Sequence, residues 1–408
     1  MGLREDAAAI AGDLAGLRQA IHREPEIGLD LPLTQARVLA ALDGLPLEVS
    51  TGDKLSSVTA VLRGDAAPAG EPGQARPVVL LRGDMDALPV TEATGLPYSS
   101  RFDGVMHACG HDLHVAMLAG AARLLSARQA ELPGDVIFMF QPGEEGYRGA
   151  DLMIGEGVLD AAGPRPVAAY ALHVSSTQYP CGLFATRPGP MLAAADILRV
   201  TVRGRGGHAS QPHLAADPIT AACEMVTALQ VMVTRHFDVF DPVVVTISSF
   251  HAGTTDNVIP DEAFFLGTAR SYSAAARTRL RDTFYDLINK IADAHGVTAD
   301  AQYVDEYPVT VNDPAEAEFA RTVTAKVFGA GRSIRKTFPM TGAEDFSYVL
   351  QQVPGAFLSV GAVPLDRDPA TAPSNHSAAA VFDDAILADG AACYAELALR
   401  RLKLARAG

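Results

Sequence analysis

The densest group of chemically active side chains in the sequence lies within Met106–His114, which holds three of the eleven histidines together with a cysteine and an aspartate. Cys109 and His111 stand two residues apart, and a thiolate and an imidazole at that spacing on a loop can bind one metal ion. Asp112 could fix the tautomer of a histidine from outside the ligand shell. A single buried cysteine or histidine usually serves only packing. Their density here favours a metal site.

Two adjacent acids, Glu144 and Glu145, stand between glycines in a second candidate segment. Adjacent acids are commonly only a solvated turn. Metal-assisted amide hydrolysis, however, needs one carboxylate as a ligand and another as a general base close to the attacking water, and two neighbouring acids can divide these tasks. His173 and His376 would complete the ligand set.

The elements that must position these residues are three apolar runs, at Val78–Leu81, Val136–Phe140 and Val167–Leu172. Continuous apolar runs are typical of strands covered on both faces, as in parallel sheets. Ligands of such α/β sheets bind beyond the carboxyl ends of the strands. Ionisable residues follow each run at that end, namely Asp84, Asp86, Glu144, Glu145 and His173.

The middle of the chain has a different pattern, which predicts a small domain over residues 191–306 inserted into a discontinuous catalytic domain of residues 1–190 and 307–408. Its order β-α-β-β-α-β is the ferredoxin-like arrangement. The predicted strands are Ile197–Val202, Val243–Phe250, Ala263–Arg270 and Thr298–Val304, and the predicted helices are Ala215–Arg235 and Ser273–Ala294.

The amino-terminal region carries apolar residues from Leu3 to Ile21 at alternating spacings of four and three, which predicts one amphipathic helix. A second helix is predicted over Thr34–Leu42. Asp65–Arg76 is rich in proline, glycine and alanine and is typical of an exposed loop.

The bulk composition predicts a soluble globular protein of two domains. The chain has 408 residues, 48% of them apolar, and a net charge of −15, which argues against nucleic acid as a partner. Neither a secretory signal nor an apolar stretch of about 18 residues is present, so no membrane association is expected. The four cysteines are far apart and favour a reducing cytoplasm over a disulfide framework.

Three glycines within Gly204–Ser210 superficially suggest a phosphate-binding loop. The segment lacks the Lys-Ser/Thr pair of a P-loop, and glycines alone are weak evidence for a dinucleotide site. We therefore reject a nucleotide-binding interpretation of this segment.

Eight segments spread over nearly the whole chain resemble the metallopeptidase family of aminoacylases, carboxypeptidase G and hippurate hydrolases. Within it, the chain is most similar to the amidohydrolase subgroup that includes indole-acetyl-amino acid hydrolases. The segments are Arg82–Pro89, Gly104–Leu118, Phe140–Gly146, Ala171–Val174, Gly204–His213, Ala252–Ala263, Gly267–Arg270 and Thr341–Leu350.

The resemblance implies a zinc-peptidase-like catalytic domain with a largely parallel sheet flanked by helices and a binuclear metal centre. Glu144 matches the general base of the family, and Asp86 matches an acid beside the metal site. The residues that match the ligands of the two divalent ions are Cys109, His111, Glu145, His173 and His376.

The resemblance further implies that the inserted domain is a lid and dimerisation surface, in a homodimer or homotetramer. His208 matches a histidine that reaches the partner's active site and steadies the oxyanion. Asn257 and Arg270 match residues that touch the substrate, the arginine facing its carboxylate, and we include Gly342 among the candidate substrate-binding residues.

The implied activity is hydrolysis of N-acyl amino acids by a metal-activated water, with zinc or manganese as the leading cofactors and cobalt or nickel as further candidates. A dipeptidase or carboxypeptidase acting at the same centre is the first alternative. A non-enzymatic relative that only binds small acyl-amino acids or a partner protein is the second, and the sequence lacks none of the ligands nor the base.

Overall fold

The computed structural model describes residues 2–66 and 76–407, so most of the predicted loop Asp65–Arg76 lies outside the described residues. The helices are α1 (Leu3–Ala9), α2 (Ala11–Arg23), α3 (Pro32–Leu42), α4 (His111–Ser126), α5 (Gly149–Gly155), α6 (Pro218–His236), α7 (Ala274–His295), α8 (Pro314–Phe328), α9 (Ser347–Leu350) and α10 (Ile386–Ala407). The strands are β1 (Leu47–Thr51), β2 (Val58–Leu62), β3 (Val78–Asp84), β4 (Asp135–Gln141), β5 (Ala168–Pro180), β6 (Phe184–Thr186), β7 (Gly189–Leu192), β8 (Ala194–Arg203), β9 (Gly207–His208), β10 (Val243–Ala252), β11 (Val258–Ile259), β12 (Glu262–Ser271), β13 (Thr298–Tyr307), β14 (Thr310–Asn312), β15 (Ser333–Arg335) and β16 (Gly355–Val363).

The chain forms two compact units. The first consists of Met1–Met191, Val311–Phe338 and Tyr348–Gly408, and the second of Leu192–Thr310 and Pro339–Ser347. The short segment Pro339–Ser347 belongs to the second unit, whereas the sequence pattern assigned it to the catalytic domain. The reason is local, since the Ala193 N–H donates to the carbonyls of Met340 and Gly342.

The first unit is built on an eight-stranded sheet in the order β1-β2-β4-β3-β5-β16-β6-β15. The four central strands run parallel, and every residue of β3 and β4 is buried. Helices α4 and α10 pack on this sheet. The prediction of an α/β fold with a largely parallel sheet flanked by helices is confirmed.

Two local predictions in this unit were wrong. The strand before His173 does not end there, because β5 continues through His173 to Pro180 and pairs with β16 as far as Val363. The single amino-terminal helix is two helices, since the Ile10 N–H donates to the Ala7 carbonyl in a tighter turn that separates α1 from α2.

A buried ionic network joins α2 to α4. Arg18 Nε donates to Asp112 at 2.7 Å and His22 Nδ1 lies 2.7 Å from the same carboxylate, with all three side chains buried. His22 Nε2 reaches Glu92 at 3.3 Å. Burial raises the pKa of Glu92, but the hydrogen bonds from His22 and from the Ser100 N–H outweigh it and lower this pKa to about 2.

We expect Glu92→Gln to lower the free energy of unfolding at pH 7 by about 2 kcal/mol, the scale of a hydrogen bond to a charged group. Because the folded-state pKa of Glu92 lies below its ordinary value of 4.5, the stabilisation is present above pH 4.5 and is lost as the pH falls towards about 2. Urea unfolding at pH 7 and pH 2.5 measures this difference, with Asp103→Asn, at an exposed position, as the control. An equal difference at both pH values would contradict the assignment.

The second unit contains a four-stranded antiparallel sheet in the order β10-β12-β8-β13, covered by α6 and α7. This is the ferredoxin-like order that the sequence pattern predicted. Its core includes Leu198, Val200, Phe265 and Phe284, all essentially inaccessible to solvent. Across residues 2–66 and 76–407, no helix combines the length and the apolar character that a membrane span needs.

Candidate metal centre

The loop before α4 and the first turn of that helix carry Cys109 and His111. Between them Gly110 has φ 87°, a left-handed conformation, and a Cβ at this position would lie 2.4 Å from Val174 Cγ2. Only glycine fits both the backbone and the space. The turn therefore places a thiol and an imidazole side by side at the helix start.

Asp86 organises the loop that carries the two adjacent acids. Its Oδ1 accepts from the Glu144 N–H and its Oδ2 from the Glu145 N–H, both at 3.0 Å, and the Asp86 side chain is buried. The Asp86 carbonyl accepts from His111 Nδ1 at 2.8 Å. Asp86 thus positions three predicted site residues through its own carboxylate and carbonyl.

The five predicted ligands come together in two overlapping groups. One group is Cys109, His111 and His173, and the other is Cys109, Glu145 and His376, with the ligand atoms in each group within 4.8 Å of one another. Cys109 Sγ lies 3.3 Å from His173 Nε2, and Glu145 Oε1 lies 3.2 Å from His376 Nε2. The cysteine sulfur is common to both groups, an arrangement suited to bridging two ions.

In their neutral forms, His111 and His173 direct their Nε2 lone pairs into these groups. His111 Nδ1 donates to a carbonyl, so its Nε2 carries the lone pair; this atom is buried and makes no hydrogen bond, although Asp84 Oδ2 lies 3.4 Å away. His173 Nδ1 donates to the Val174 carbonyl at 2.8 Å, which turns its Nε2 lone pair towards the sulfur of Cys109. Acceptors that converge in this way favour a cation, and this donor set of sulfur, nitrogen and carboxylate oxygen fits divalent transition metals.

Neighbouring groups in the site raise the pKa values of two predicted ligands, His376 and His111. Hydrogen bonds to Cys109 and Glu145 raise the pKa of His376 to about 10. Burial lowers the pKa of His111, but the charges of Asp84 and Cys109 outweigh it and raise this pKa well above its usual range. Protons therefore occupy positions at which metal ions compete for the same lone pairs.

Asn375, which the sequence reasoning missed, ties the His376 loop to the other ligand segments. Its Nδ2 donates to the Cys109 carbonyl at 3.1 Å and to the Val174 carbonyl at 3.0 Å. His376 itself has φ 69°, a strained value for a residue with a side chain, and its N–H donates to the Ala108 carbonyl. The only sequence signal for Asn375 is that it precedes His376.

The suggested role of Asp112 as a support for a metal-binding histidine was wrong. Its carboxylate accepts from Arg18 and lies against His22, both on α2, rather than against a ligand. The amphipathic pattern marked α2 only as a packing helix, so it gave no sign of these two buried polar residues.

The remaining candidate residues lie in the second unit. His208 on β9 and Asn257 beside β11 are brought together, since these strands pair and the Ala209 N–H donates to the Asn257 carbonyl. Arg270 lies near the end of β12 and donates to Thr268 Oγ1 and the Ala269 carbonyl. Gly342 lies in the Pro339–Ser347 segment, apart in sequence from the paired strands β9 and β11.

Comparison with known proteins matches residues 80–400 to the model of peptidase family M20/M25/M40. Thermostable carboxypeptidase 2 of Saccharolobus solfataricus is 36% identical over 98% of both chains, and the IAA-amino acid hydrolase ILR1-like 4 of Arabidopsis thaliana is 35% identical over 95% of this chain and 86% of its own. Among solved structures, the YxeP protein of Bacillus subtilis, described as a dinuclear metal-binding peptidase of the M20 family, matches with a TM-score of 0.81 at 30% identity over 97% of this chain and 99% of its own.

These matches confirm the family resemblance found in the sequence, and they span both units of the fold. The family model covers most of the chain, including Cys109, His111, Glu145, His173 and His376. The chain therefore belongs to peptidase family M20/M25/M40 and is a hydrolase of amide bonds.

Proposed function

We propose that this protein is a metal-dependent amidohydrolase that releases the acyl group from N-acyl amino acids, using two divalent ions bound by Cys109, His111, Glu145, His173 and His376. The observation that carries the proposal is the pair of three-ligand groups sharing the Cys109 sulfur. The dinuclear description of the YxeP relative supports two ions, and the name of the IAA-amino acid hydrolase relative supports an acyl-amino acid substrate.

The ions, when bound, supply Lewis-acid chemistry that polarises the amide carbonyl and makes water a better nucleophile. Glu144 is the proposed general base: its backbone is held by Asp86, and its carboxylate lies within 4.8 Å of the ligand atoms of His111 and Glu145, near enough to reach a water at the metal centre. It takes a proton from the attacking water and returns it to the leaving amine. Its side chain is largely buried, which limits the access of bulk solvent to the carboxylate.

His208 is the proposed donor to the oxyanion. Ser210 N–H donates to His208 Nδ1 at 3.1 Å, so Nδ1 is the acceptor and the proton is on Nε2. The side chain is exposed, and its hydrogen bonds involve only Nδ1. Within the part of the second unit that the structure describes, Nε2–H has no acceptor and can donate to a substrate. A preorganised N–H donor of this kind stabilises the charge that develops on the carbonyl oxygen.

Arg270 is the proposed binding partner of the substrate carboxylate, and Asn257 and Gly342 are proposed as further substrate contacts. A protein of net charge −15 repels an anionic substrate unless a cation is placed locally, and a guanidinium holds a carboxylate through two parallel hydrogen bonds. This assignment rests on the match of Arg270 to the family position.

The second unit is proposed as a lid and as the surface of a homodimer or homotetramer, in which His208 completes the site of the partner. β10 is an outer strand of its sheet and exposes Val244 and Phe250, which is the kind of edge that association covers. We propose zinc or manganese as the resident metal, with cobalt or nickel as substitutes. The four free cysteines support a cytoplasmic location.

A dipeptidase or carboxypeptidase activity is the second candidate, and the name of the S. solfataricus relative favours it. The two activities differ in the group on the carbonyl side of the scissile bond. A peptide substrate places a charged amino group or a further residue there, whereas an acyl amino acid places an uncharged group.

We expect the metal-loaded protein to hydrolyse N-acetyl or N-benzoyl amino acids with a kcat/KM at least about 10-fold above that for the matching dipeptides, a difference of about 1.4 kcal/mol in transition-state binding. Replacing the substrate carboxylate by a neutral amide should cost about 100-fold, because two charge-assisted hydrogen bonds are lost. Arg270→Ala should cost about as much, and the two changes together little more than either alone.

These measurements distinguish the amidohydrolase from the peptidase alternative. Faster turnover of dipeptides would replace the proposed function by the peptidase alternative. If the losses from Arg270→Ala and from the neutral substrate multiply, Arg270 is not the partner of the carboxylate. Arg279→Ala, on a helix of the same unit, is the matched control for loss of one positive charge.

A further inference from the structure

A third group of potential ligands lies directly behind the metal centre. Asp84, at the end of β3, and His114, one turn into α4, stand with His111 so that their ligand atoms are within 4.8 Å of one another. Neither Asp84 nor His114 belongs to the proposed ligand set. The hydrogen bonds of Asp84 and His114 determine whether they can bind a metal ion.

Both ring nitrogens of His114 are occupied. The Val174 N–H donates to His114 Nε2 at 2.8 Å, and a backbone N–H can only donate, so Nε2 holds a lone pair and no proton. Nδ1 then carries the proton and donates it to Asp84 Oδ1. With one nitrogen protonated and the lone pair of the other used by Val174, His114 has nothing left to offer a metal ion.

Both oxygens of the Asp84 carboxylate accept hydrogen bonds. Its Oδ1 accepts from His114, and its Oδ2 accepts from the Arg82 guanidinium at 2.7 Å. Arg82 is anchored in turn through Nε to Gln141 at 2.8 Å. Arg82, Asp84 and His114 are all completely buried, so the charges of the carboxylate and the guanidinium balance each other inside the core.

These contacts end at the peptide bond between His173, a proposed ligand, and Val174. The β3–β5 pairing stops at Arg82↔Ala171, so on this side the Val174 N–H lies beyond the last paired residues of the strand ladder. His114 accepts that N–H, while the Val174 carbonyl accepts from His173 Nδ1. The Val174 residue is thus held from both sides, and its carbonyl fixes the ring of His173 with Nε2 towards Cys109.

We propose that Asp84 and His114 are positioning residues, not metal ligands, and that they orient His173 for metal binding by holding the Val174 N–H where the sheet provides no partner. The inference rests on the proposed metal centre and concerns how that centre is built. Supports of this kind behind a ligand typically change metal affinity by about 10–100-fold when they are removed.

Two substitutions of His114 test its hydrogen bond to Asp84 and its hydrogen bond to Val174 separately. His114→Gln places a carbonyl oxygen near the former Nε2 and keeps an acceptor for Val174. His114→Asn places its amide near the former Nδ1, keeps a donor for Asp84, and leaves the Val174 N–H without an acceptor. The measured quantities are the number and affinity of Co²⁺ ions bound by metal-free protein in competition with a chelator, together with the thiolate-to-cobalt absorption, and no substrate is involved.

We expect His114→Asn to weaken the binding of one of the two ions by about 10–100-fold while two ions still bind at saturation. His114→Gln should bind close to the unsubstituted protein, and both should keep the thiolate absorption. Loss of one ion at saturation in both variants would make His114 a ligand. Equal weakening in both, or none in either, would show that the Val174 contact does not position His173.

A measurement on the unsubstituted protein keeps the test valid if a variant fails to fold. In protein labelled with ¹⁵N at its histidines, His114 should show the Nδ1–H form with and without Zn²⁺, whereas the Nε2 signals of His111 and His173 should move when metal is added. A shift of His114 Nε2 on metal binding would overturn the inference. Absence of metal binding by the unsubstituted protein would instead defeat the proposed function.

Discussion

Glu144→Gln should keep its metal ions and lose turnover by a factor of about 100 to 10,000, the range that a general base contributes. The amide side chain has nearly the shape of the carboxylate but cannot accept a proton from water. Because the Glu144 N–H is held by Asp86, the substitution leaves the backbone of the loop in place. Metal analysis and single-turnover kinetics on the same preparation measure the two properties separately.

The neighbouring acid provides the matched comparison. Glu145 contacts His376, and its pKa is lowered: burial alone would raise it, but the hydrogen bond from His376 and the charge of His111 outweigh that effect. Glu145→Gln should therefore shed metal, whereas Glu144→Gln should not. If Glu144→Gln sheds metal and Glu145→Gln retains it, the roles of base and ligand must be exchanged.

Cys109→Ala should reduce the binding of both metal ions, because the Cys109 sulfur is the one atom shared by the two ligand groups. Loss of a supporting residue behind a ligand already costs about 10–100-fold in affinity or activity, so loss of a shared ligand should cost at least about 100-fold. Metal content after gel filtration, measured with and without a chelator in the buffer, gives the affinity change directly.

Cys223 offers a control for the loss of a thiol, since it is an exposed free cysteine on α6 of the second unit. Cys223→Ala should retain both ions and full activity. Full metal occupancy and activity in Cys109→Ala would remove the cysteine from the ligand set and with it the basis for a shared site.

Much of this architecture could be predicted because it follows from short-range patterns. The buried runs that became β3 and β4 are continuous and apolar, and such runs have few alternatives in an α/β fold. The strands and helices of the second unit are separated by clear turns, so their order could be recognised as ferredoxin-like. Cys109 and His111 could be predicted as metal ligands because they lie in one dense cluster, whereas the full set of five followed from the family resemblance.

What the sequence did not reveal depends on contacts between distant segments. Asn375 contacts the carbonyl of Cys109 although 266 positions separate the two residues in the sequence. No local pattern could therefore indicate this contact. His22 and Arg18 look like ordinary polar residues on a packing helix until α4 brings Asp112 to them. Hydrogen bonds of this kind leave no periodic signal, because they involve single polar atoms rather than a repeated apolar face.

The two hydrogen bonds between the Asp86 carboxylate and the loop after β4 bear on how this enzyme could be redesigned. The loop is fastened through the main-chain N–H groups of Glu144 and Glu145, so its shape does not depend on which side chains those two positions present. We therefore expect positions 144 and 145 to accept other residue types while their Cα atoms stay in place. Asp86 has no such freedom, because its carboxylate accepts both N–H donors, which makes it the fixed point around which new reactivity can be designed.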